Sequence, residues 1–224
     1  GNGNKTSYQY NERGFLIKVI DALENTKMFF YDTAGRKIAE VSPNNYVSTD
    51  IMTHMQRTEY IYDNMGRVIE VYQVYKNNGT WRRVLEKKCI YDNIGNLISE
   101  KDALGNEISY TYTLDSKLES VQDADAKAKN KAYTKKYYYD GAGRLIKEKD
   151  ANEIELIYEY DELGNLLKTS VKDKNSSEAK KLSSSKYNLV GEEISKTDAN
   201  NVETKYEYNE FGKVKKVTYA SDGR

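Results

Sequence analysis

The feature that most constrains this chain is a strand-and-turn phrase, Tyr158-Glu159-Tyr160-Asp161-Glu162-Leu163-Gly164-Asn165-Leu166-Leu167, which recurs with variation about nine times. Aligned on one turn position, the copies fall at Gly14, Gly35, Gly66, Gly95, Ser116, Gly143, Gly164, Gly191 and Gly212. Such a chain is a tandem array of one supersecondary unit. Its architecture follows from what a single unit does.

The residue entering the turn follows a tyrosine in every copy: Tyr10, Tyr31, Tyr62, Tyr91, Tyr112, Tyr139, Tyr160, Tyr187 and Tyr208. Two residues earlier an aromatic slot holds Tyr8, Phe29, Tyr60, Tyr110, Tyr137, Tyr158 and Tyr206, and Cys89 and Ser185 interrupt it. Residues two apart on a strand share a face, so the two slots set rings side by side on one surface. Tyr forms strands well because its broad ring packs on a pleated, half-buried surface. Of the 21 tyrosines, 15 occupy these slots, so the core is to be built from Tyr as much as from Leu or Ile. Each buried hydroxyl then requires a partner.

Asp or Asn opens the turn (Asn11, Asp32, Asp63, Asp92, Asp140, Asp161, Asn188, Asn209), and Gly three residues later supplies the positive φ that closes a hairpin. Thr113 with Ser116 loses both signals, so that hairpin is expected to be the least regular. Apolar pairs follow the glycine, as in Leu16-Ile17, Val68-Ile69, Leu97-Ile98, Leu145-Ile146 and Leu166-Leu167. Neighbours on a strand point to opposite faces, so the pairs imply partial cover on both faces near the turn. A second turn lies seven residues after the glycine, at Asp21, Asp102, Asp123, Asp150 and Asp198, each followed by Ala. One unit is therefore strand, turn, strand, turn. The fold class is all-β, a long antiparallel β-meander of roughly eighteen strands, and a twisted sheet of that size must curl or split.

Successive turn glycines lie 21, 31, 29, 21, 27, 21, 27 and 21 residues apart. The increments over the minimal unit, 10, 8, 6 and 6, are all even, which keeps every later side chain on its face of the sheet. The extra residues are read as lengthened hairpins or loops near 44–59, 74–88, 124–136 and 172–184, all at the second turn. Residues 44–59 carry the only His; 74–88 hold the hairpin signal Asn77-Asn78-Gly79-Thr80. Residues 124–136 are rich in Ala and Lys and are able to form a short helix, and 172–184 read as a flexible Ser-rich loop. No linker interrupts the rhythm, which predicts one domain over 1–224 with repeats from about 8 to 219. The opening Gly-Asn-Gly-Asn without Met reads as a processed or recombinant form, and Ser221-Asp222-Gly223-Arg224 resembles the start of another turn, as in a truncated array.

Composition excludes several functions. Thirty-five basic residues balance 35 acidic ones, giving no global basic field for nucleic acid or an anionic membrane. No stretch approaches the ~20 apolar residues of a membrane span, and no signal peptide is visible. The single Cys89 forms no internal disulfide and reads as a small buried apolar residue. His54 has no ligand spacing around it, since Thr53, Met55 and Gln56 adjoin it, so neither a metal site nor a triad is expected. The recurrent Asp residues are explained as turn residues, and Asp123-Ala124-Asp125 lacks the oxygen series of a calcium loop. No phosphate-cradling loop or nucleophile elbow occurs. The chain is expected to be no enzyme and to hold no metal or cofactor. One surface remains a candidate for ligands: Tyr46, Tyr72, Tyr75, Trp81 and Tyr133 beside Asn77, Arg82 and Arg83, with Tyr46, Tyr75, Trp81 and Arg82 as its centre, suited to stacking on sugar rings or gripping a peptide.

The phrase Tyr139-Asp140-Gly141-Ala142-Gly143-Arg144-Leu145 with its second turn at Asp150-Ala151, and Tyr62-Asp63-Asn64-Met65-Gly66-Arg67-Val68, closely resemble the Rhs/YD repeat. The resemblance runs from Tyr8 to about Tyr219. It implies a sheet that spirals into a shell, as in bacterial polymorphic toxins and insecticidal toxin complexes, where the shell encloses a toxic domain, and in animal teneurins at the cell surface. The toxin-bearing members end their repeats in a Pro- and Asp-rich self-cleaving segment, whereas this chain has one Pro, Pro43. Nine units are too few for a closed cage, so an open, shell-like sheet is expected. The implied function is a structural repeat segment of a bacterial secreted or cell-surface Rhs-type protein, enclosing or carrying another domain. Its partners are further YD repeats or an enclosed domain of the same parent. The alternative is a self-contained surface binding module for carbohydrate or a cell-surface protein. The first leaves the end strands open for neighbouring repeats; the second caps both ends and lines a groove with the aromatic insertions.

Overall fold

The computed structural model describes residues 5–47 and 52–220. Its eighteen strands belong to one antiparallel sheet, as the repeat predicts. The chain forms two compact units, residues 1–109 and 110–224. The first holds β1 (Ser7–Tyr10), β2 (Leu16–Ile20), β3 (Thr26–Tyr31), β4 (Lys37–Val41), β5 (Arg57–Tyr62), β6 (Val68–Asn77), β7 (Thr80–Tyr91), β8 (Leu97–Asp102) and the start of β9 (Glu107–Tyr112). Each pairs with the next in sequence. The second unit takes the end of β9, then β10 (Leu118–Gln122), a short helix α1 (Ala124–Ala128), β11 (Lys135–Tyr139), β12 (Leu145–Asp150), β13 (Glu155–Tyr160), β14 (Leu166–Lys172), β15 (Lys180–Tyr187), β16 (Glu193–Thr197), β17 (Glu203–Tyr208) and β18 (Val214–Tyr219). From β10 onward the same consecutive pairing holds.

One turn geometry recurs along the glycine positions. The Asp32 N–H donates to the Arg36 carbonyl at 2.9 Å, the Gly35 N–H donates to the Asp32 carbonyl at 3.1 Å, and the Asp32 carboxylate accepts from the Arg36 N–H at 2.8 Å. Gly35 sits at φ +85°, and a Cβ there would lie 2.6 Å from the Phe15 ring of the preceding repeat. Glycine is thus required twice, by backbone and by crowding. After each turn the register shifts by one residue: Tyr31 faces Lys37 but Phe30 faces Ala39. The same β-bulge recurs at Tyr10, Tyr62, Tyr91, Tyr139, Tyr160, Tyr187 and Tyr208. This corrects the reading of the apolar pairs. Their second member, such as Ile17, Ile69 or Leu167, is the bulged residue, so alternation breaks there and no second covered face is implied.

Two further expectations are corrected. The Thr113 turn is as regular as the others, because the Thr113 hydroxyl accepts from the Lys117 N–H at 3.0 Å in place of a carboxylate and Ser116 adopts the left-handed φ of 62°. The segment 172–184 is loop only over 173–179, since Lys180–Tyr187 is strand β15 and Ser184 pairs with Thr197. The second turns at Asp21, Asp102, Asp150 and Asp198 repeat the Asp-turn bonding, with Glu24, Gly105, Glu153 and Asn201 at positive φ. Asp123 instead caps α1, its carboxylate accepting from the Ala126 N–H at 2.8 Å. The expected hairpin forms at 74–88: β6 and β7 join through Asn78-Gly79, both at positive φ, the two-residue turn whose twist matches a hairpin.

Burial is shallow. In the first unit Ala39, Val41, Met55, Val74 and Cys89 form the small closed core, in the second Ala126 is the buried apolar residue, and most strand residues are half-buried. The repeat tyrosines therefore carry the packing, as their number predicts. The terminal Ser221-Asp222-Gly223-Arg224 and the opening Gly-Asn-Gly-Asn lie outside the described residues.

Candidate functional site

The invariant slot of the repeat builds a ladder between copies. The Tyr31 hydroxyl donates to the Leu16 carbonyl at 2.8 Å, Tyr62 to Lys37 at 2.6 Å and Tyr91 to Val68 at 3.1 Å in the first unit. In the second, Tyr139 donates to Leu118 at 2.9 Å, Tyr160 to Leu145 at 2.9 Å, Tyr187 to Leu166 at 3.1 Å and Tyr208 to Glu193 at 2.8 Å. Donor and acceptor stand at the same repeat positions in all seven. The half-buried ring contributes apolar area while its hydroxyl ties one repeat to the one before it. Tyr112 occupies the same slot half-buried, and Tyr10 begins the series exposed.

The residue after the turn glycine adds a second tie. The Arg36, Arg67 and Arg144 guanidinium groups each bond their own turn carboxylate, at 2.6–2.7 Å, and the carbonyl of the next turn, at 3.3, 3.1 and 2.7 Å. Each also lies over the next repeat tyrosine, 4.7–5.1 Å from the ring centroid. Phe15 takes this place in the first copy by stacking on Tyr31. The backbone N–H and guanidinium of Arg144 hold the Asp140 carboxyl below the usual carboxylate range. Burial and a bond from its hydroxyl to Glu148 push Tyr158 up to about 12.

The aromatic insertions meet in the first unit. The long β6–β7 hairpin sets Trp81 opposite Lys76, whose ammonium lies 5.9 Å from the ring centroid. Beside them the 44–56 segment completes an open cleft of about 610 Å³, lined by Asn44, Asn45, His54, Gln56, Lys76 and Trp81, with Val47 and Met55. Of the sequence candidates only Trp81 lies in it. Tyr75 pairs with Arg82 one residue out of step with Lys76 and Trp81, so both belong to the opposite face of the hairpin. Tyr46 turns to β2, where the Lys18 ammonium donates to its hydroxyl at 3.0 Å. Arg83 pairs with Glu59 at 2.7 Å and lies over the Tyr72 ring, and Tyr133 bonds Glu153 in the second unit. Burial raises the Glu59 carboxyl, but bonds from Arg83 and Arg57 outweigh it and hold the group low. Sequence reasoning missed His54, Asn44, Asn45, Gln56 and Lys76 as partners of Trp81. The available signal was spacing: the two longest units are consecutive, which places their insertions on neighbouring turns.

Cys89 is buried, and burial pushes its thiol up, as fits a packing residue. Among the described residues no three His, Cys, Asp or Glu side chains are placed to hold a metal ion. No helix is long and apolar enough to cross a membrane.

Fold and ladder together define an array of tyrosine-tied β-hairpin repeats. The family profile described as Teneurin YD-shell matches residues 1–119, and that described as RHS Repeat matches 139–178 and 187–224. The chain belongs to the Rhs/YD-repeat family. No curated protein matches it significantly. Among solved structures, the crystal structure of TcdB2-TccC3-Cdc42 superposes with a TM-score of 0.68 at 16% identity, over 96% of this chain and 13% of its own. TcdB2-TccC3-TEV gives 0.67 at 17%, over 96% and 13%. The Photorhabdus luminescens Tc holotoxin pore gives 0.67 at 15%, over 96% and 12%. These likenesses establish the fold, and the chain spans 12–13% of the length of those chains.

Proposed function

We propose that residues 1–224 act together as one non-enzymatic structural domain of a bacterial secreted or cell-surface Rhs-type protein, part of a shell that encloses or carries another domain of the same parent. The observation that carries this reading is where the repeat residues go. Tyrosine hydroxyls, turn carboxylates and arginine guanidinium groups bond the neighbouring copy or their own turn, which is what a wall requires. The names of two similar structures, TcdB2-TccC3-Cdc42 and TcdB2-TccC3-TEV, add a second protein after the shared part, which agrees with carriage of cargo. Electron microscopy of the polypeptide as the cell produces it, with limited proteolysis, tests the reading. Repeat density curved around a protease-resistant second domain supports it; an array lying apart from freely digested neighbours overturns it.

The cleft at Trp81 supports a second reading, a surface binding module for carbohydrate or a protein ligand. An aromatic face beside three carboxamides and an imidazole matches the alternating apolar and polar faces of a sugar ring. Tyr46, Tyr75 and Arg82 lie away from that cleft and enter only for a ligand that wraps the hairpin. A glycan array compared between the parent chain and Trp81→Ala tests this. A binder lost on substitution favours the module, and no binder on either chain removes it.

A further inference from the structure

We infer that β18 and β1 are docking edges complementary to each other, so that a second copy of this chain sets its β1 against β18 of the first and continues the repeat across the junction. The inference deepens the structural reading above and rests on it for the role of such an assembly, though its geometry comes from the ladder alone. Within the chain the donor is always the tyrosine four residues before a turn glycine, and the acceptor is the carbonyl two residues after the preceding one, as in Tyr160 with Leu145 and Tyr208 with Glu193. Each end carries one half of such a pair. Tyr10 stands at the donor position, 59% exposed, and among the described residues its hydroxyl has no partner. Val214 stands at the acceptor position, 53% exposed. Lys213 occupies the place from which Phe15, Arg36, Lys117 and Arg144 lie over the next tyrosine.

The register across the junction follows from the interior. The residue four after a turn glycine faces the residue seven before the next one: Lys18 faces Met28, Lys147 faces Ile157 and Ser195 faces Lys205. The same rule sets Lys216 of one copy against Ser7 of the other. Every side chain of β1 and β18 is exposed, whereas interior strands are largely half-buried. Ser7–Tyr10 carries no charge to oppose Lys215 and Lys216, so no like-charge pair forms. A strand edge of this kind offers unpaired N–H and C=O groups to another chain. The contact is heterologous, one surface on each partner, and not a patch that meets itself.

Cross-linking tests the register. Paired residues on adjacent antiparallel strands have Cα atoms about 4.5–5.5 Å apart, within disulfide range. In a Cys89→Ala background, which removes the sole native thiol, Ser7→Cys combined with Lys216→Cys is oxidised at several concentrations. Covalent multiples of 25.8 kDa in the double variant, with none from either single variant, are the expected result. Dimers from a single variant, or monomer alone in every case while far-UV circular dichroism reports β structure, overturn the inference. The unmodified chain gives the second measurement, its mass by light scattering against concentration. Growth with concentration is expected, weakened about 2- to 10-fold by Tyr10→Phe, the value of one hydrogen bond; a mass fixed at one copy throughout overturns the docking. A failed cross-link with a shell visible in the parent removes the docking alone, and a cross-linked series without any shell removes the structural reading alone.

Discussion

Two neighbouring turns, Asp140–Arg144 and Asp161–Asn165, share one backbone geometry and differ in reach. In both, the leading N–H bonds the carbonyl four residues on at 3.0 Å, and the Asp carboxylate accepts from that residue's N–H and side chain. The Arg144 guanidinium continues past its own turn to the Asp161 carbonyl at 2.7 Å and covers the Tyr160 ring. The Asn165 amide ends at Asp161, 2.8 Å away. Local turn formation and repeat-to-repeat attachment are therefore separate properties, and one position after the glycine sets the second without changing the first. The tyrosine ladder runs through both turns, which is why the shorter residue is tolerated.

The largest expected effect comes from the element the two turns share. Tyr160→Ala removes a half-buried ring, its bond to Leu145 and the seat of Arg144, and should cost roughly 2–4 kcal/mol, read as a shift in the urea midpoint. Tyr160→Phe should cost about 1 kcal/mol, the net value of one hydrogen bond. Equal costs for the two would break the view that ring and hydroxyl act separately. Next come the two clamps. Arg144→Ala should cost roughly 1.5–3 kcal/mol through the charge-assisted bond to Asp161 and the ring contact, and Asn165→Ala about 0.5–1 kcal/mol. An Asn165 loss as large as the Arg144 loss would erase the distinction between local and inter-repeat bonding. A smaller gain sharpens it: Asn165→Arg carries a guanidinium to the Asn188 carbonyl, the equivalent acceptor, and should stabilise by about 0.5–1 kcal/mol. No gain would mean that the longer gap to the next copy moves that carbonyl out of reach.

The strands, their order and the ladder's donors were legible in the sequence because period and composition agree at every copy. Tyr-x-Tyr states a face, and Asp-x-x-Gly states a turn. The bulge was not legible, since Leu16-Ile17 has the same appearance whether alternation continues or breaks. The Thr113 turn was misjudged because a hydroxyl can accept the bond that a carboxylate accepts elsewhere, and that substitution leaves no mark on the pattern. Nor could the sequence show that Ser170 is buried at 1% exposure with its hydroxyl unpaired among the described residues. The candidate surface failed for a simpler reason. Tyr75 and Trp81 are near in sequence, but a two-residue hairpin loop decides the face of each, and Trp81 is opposite Lys76. Its other neighbours come from the preceding insertion, at a distance only the pairing of β5 with β6 sets.

Acid separates the two clamps most finely. Asp140 is held low by the Arg144 backbone N–H and guanidinium, and Asp161 by the Asn165 amide and backbone N–H. Both folded values lie below the unfolded one of about 3.9. The stability these carboxylates contribute is therefore fully present above pH ~4 and is lost as pH falls through the folded values. Once the carboxyls are protonated, Asn165→Ala removes little, so its deficit against the parent chain should approach zero below pH ~2. The Arg144→Ala deficit should shrink over the same range yet persist, because the bond to the Asp161 carbonyl and the cover on Tyr160 involve no titrating group. Salt gives the complementary reading: at 1 M the screening length is about 3 Å, which weakens the exposed Arg144–Asp140 pair and leaves the amide bond unaffected. Urea midpoints at pH ~7 and pH ~2, each at low and high salt, measure all four arms. Two deficits that vanish together in acid would show that Arg144, like Asn165, acts only on its own turn, and the separation of turn formation from repeat attachment would be lost.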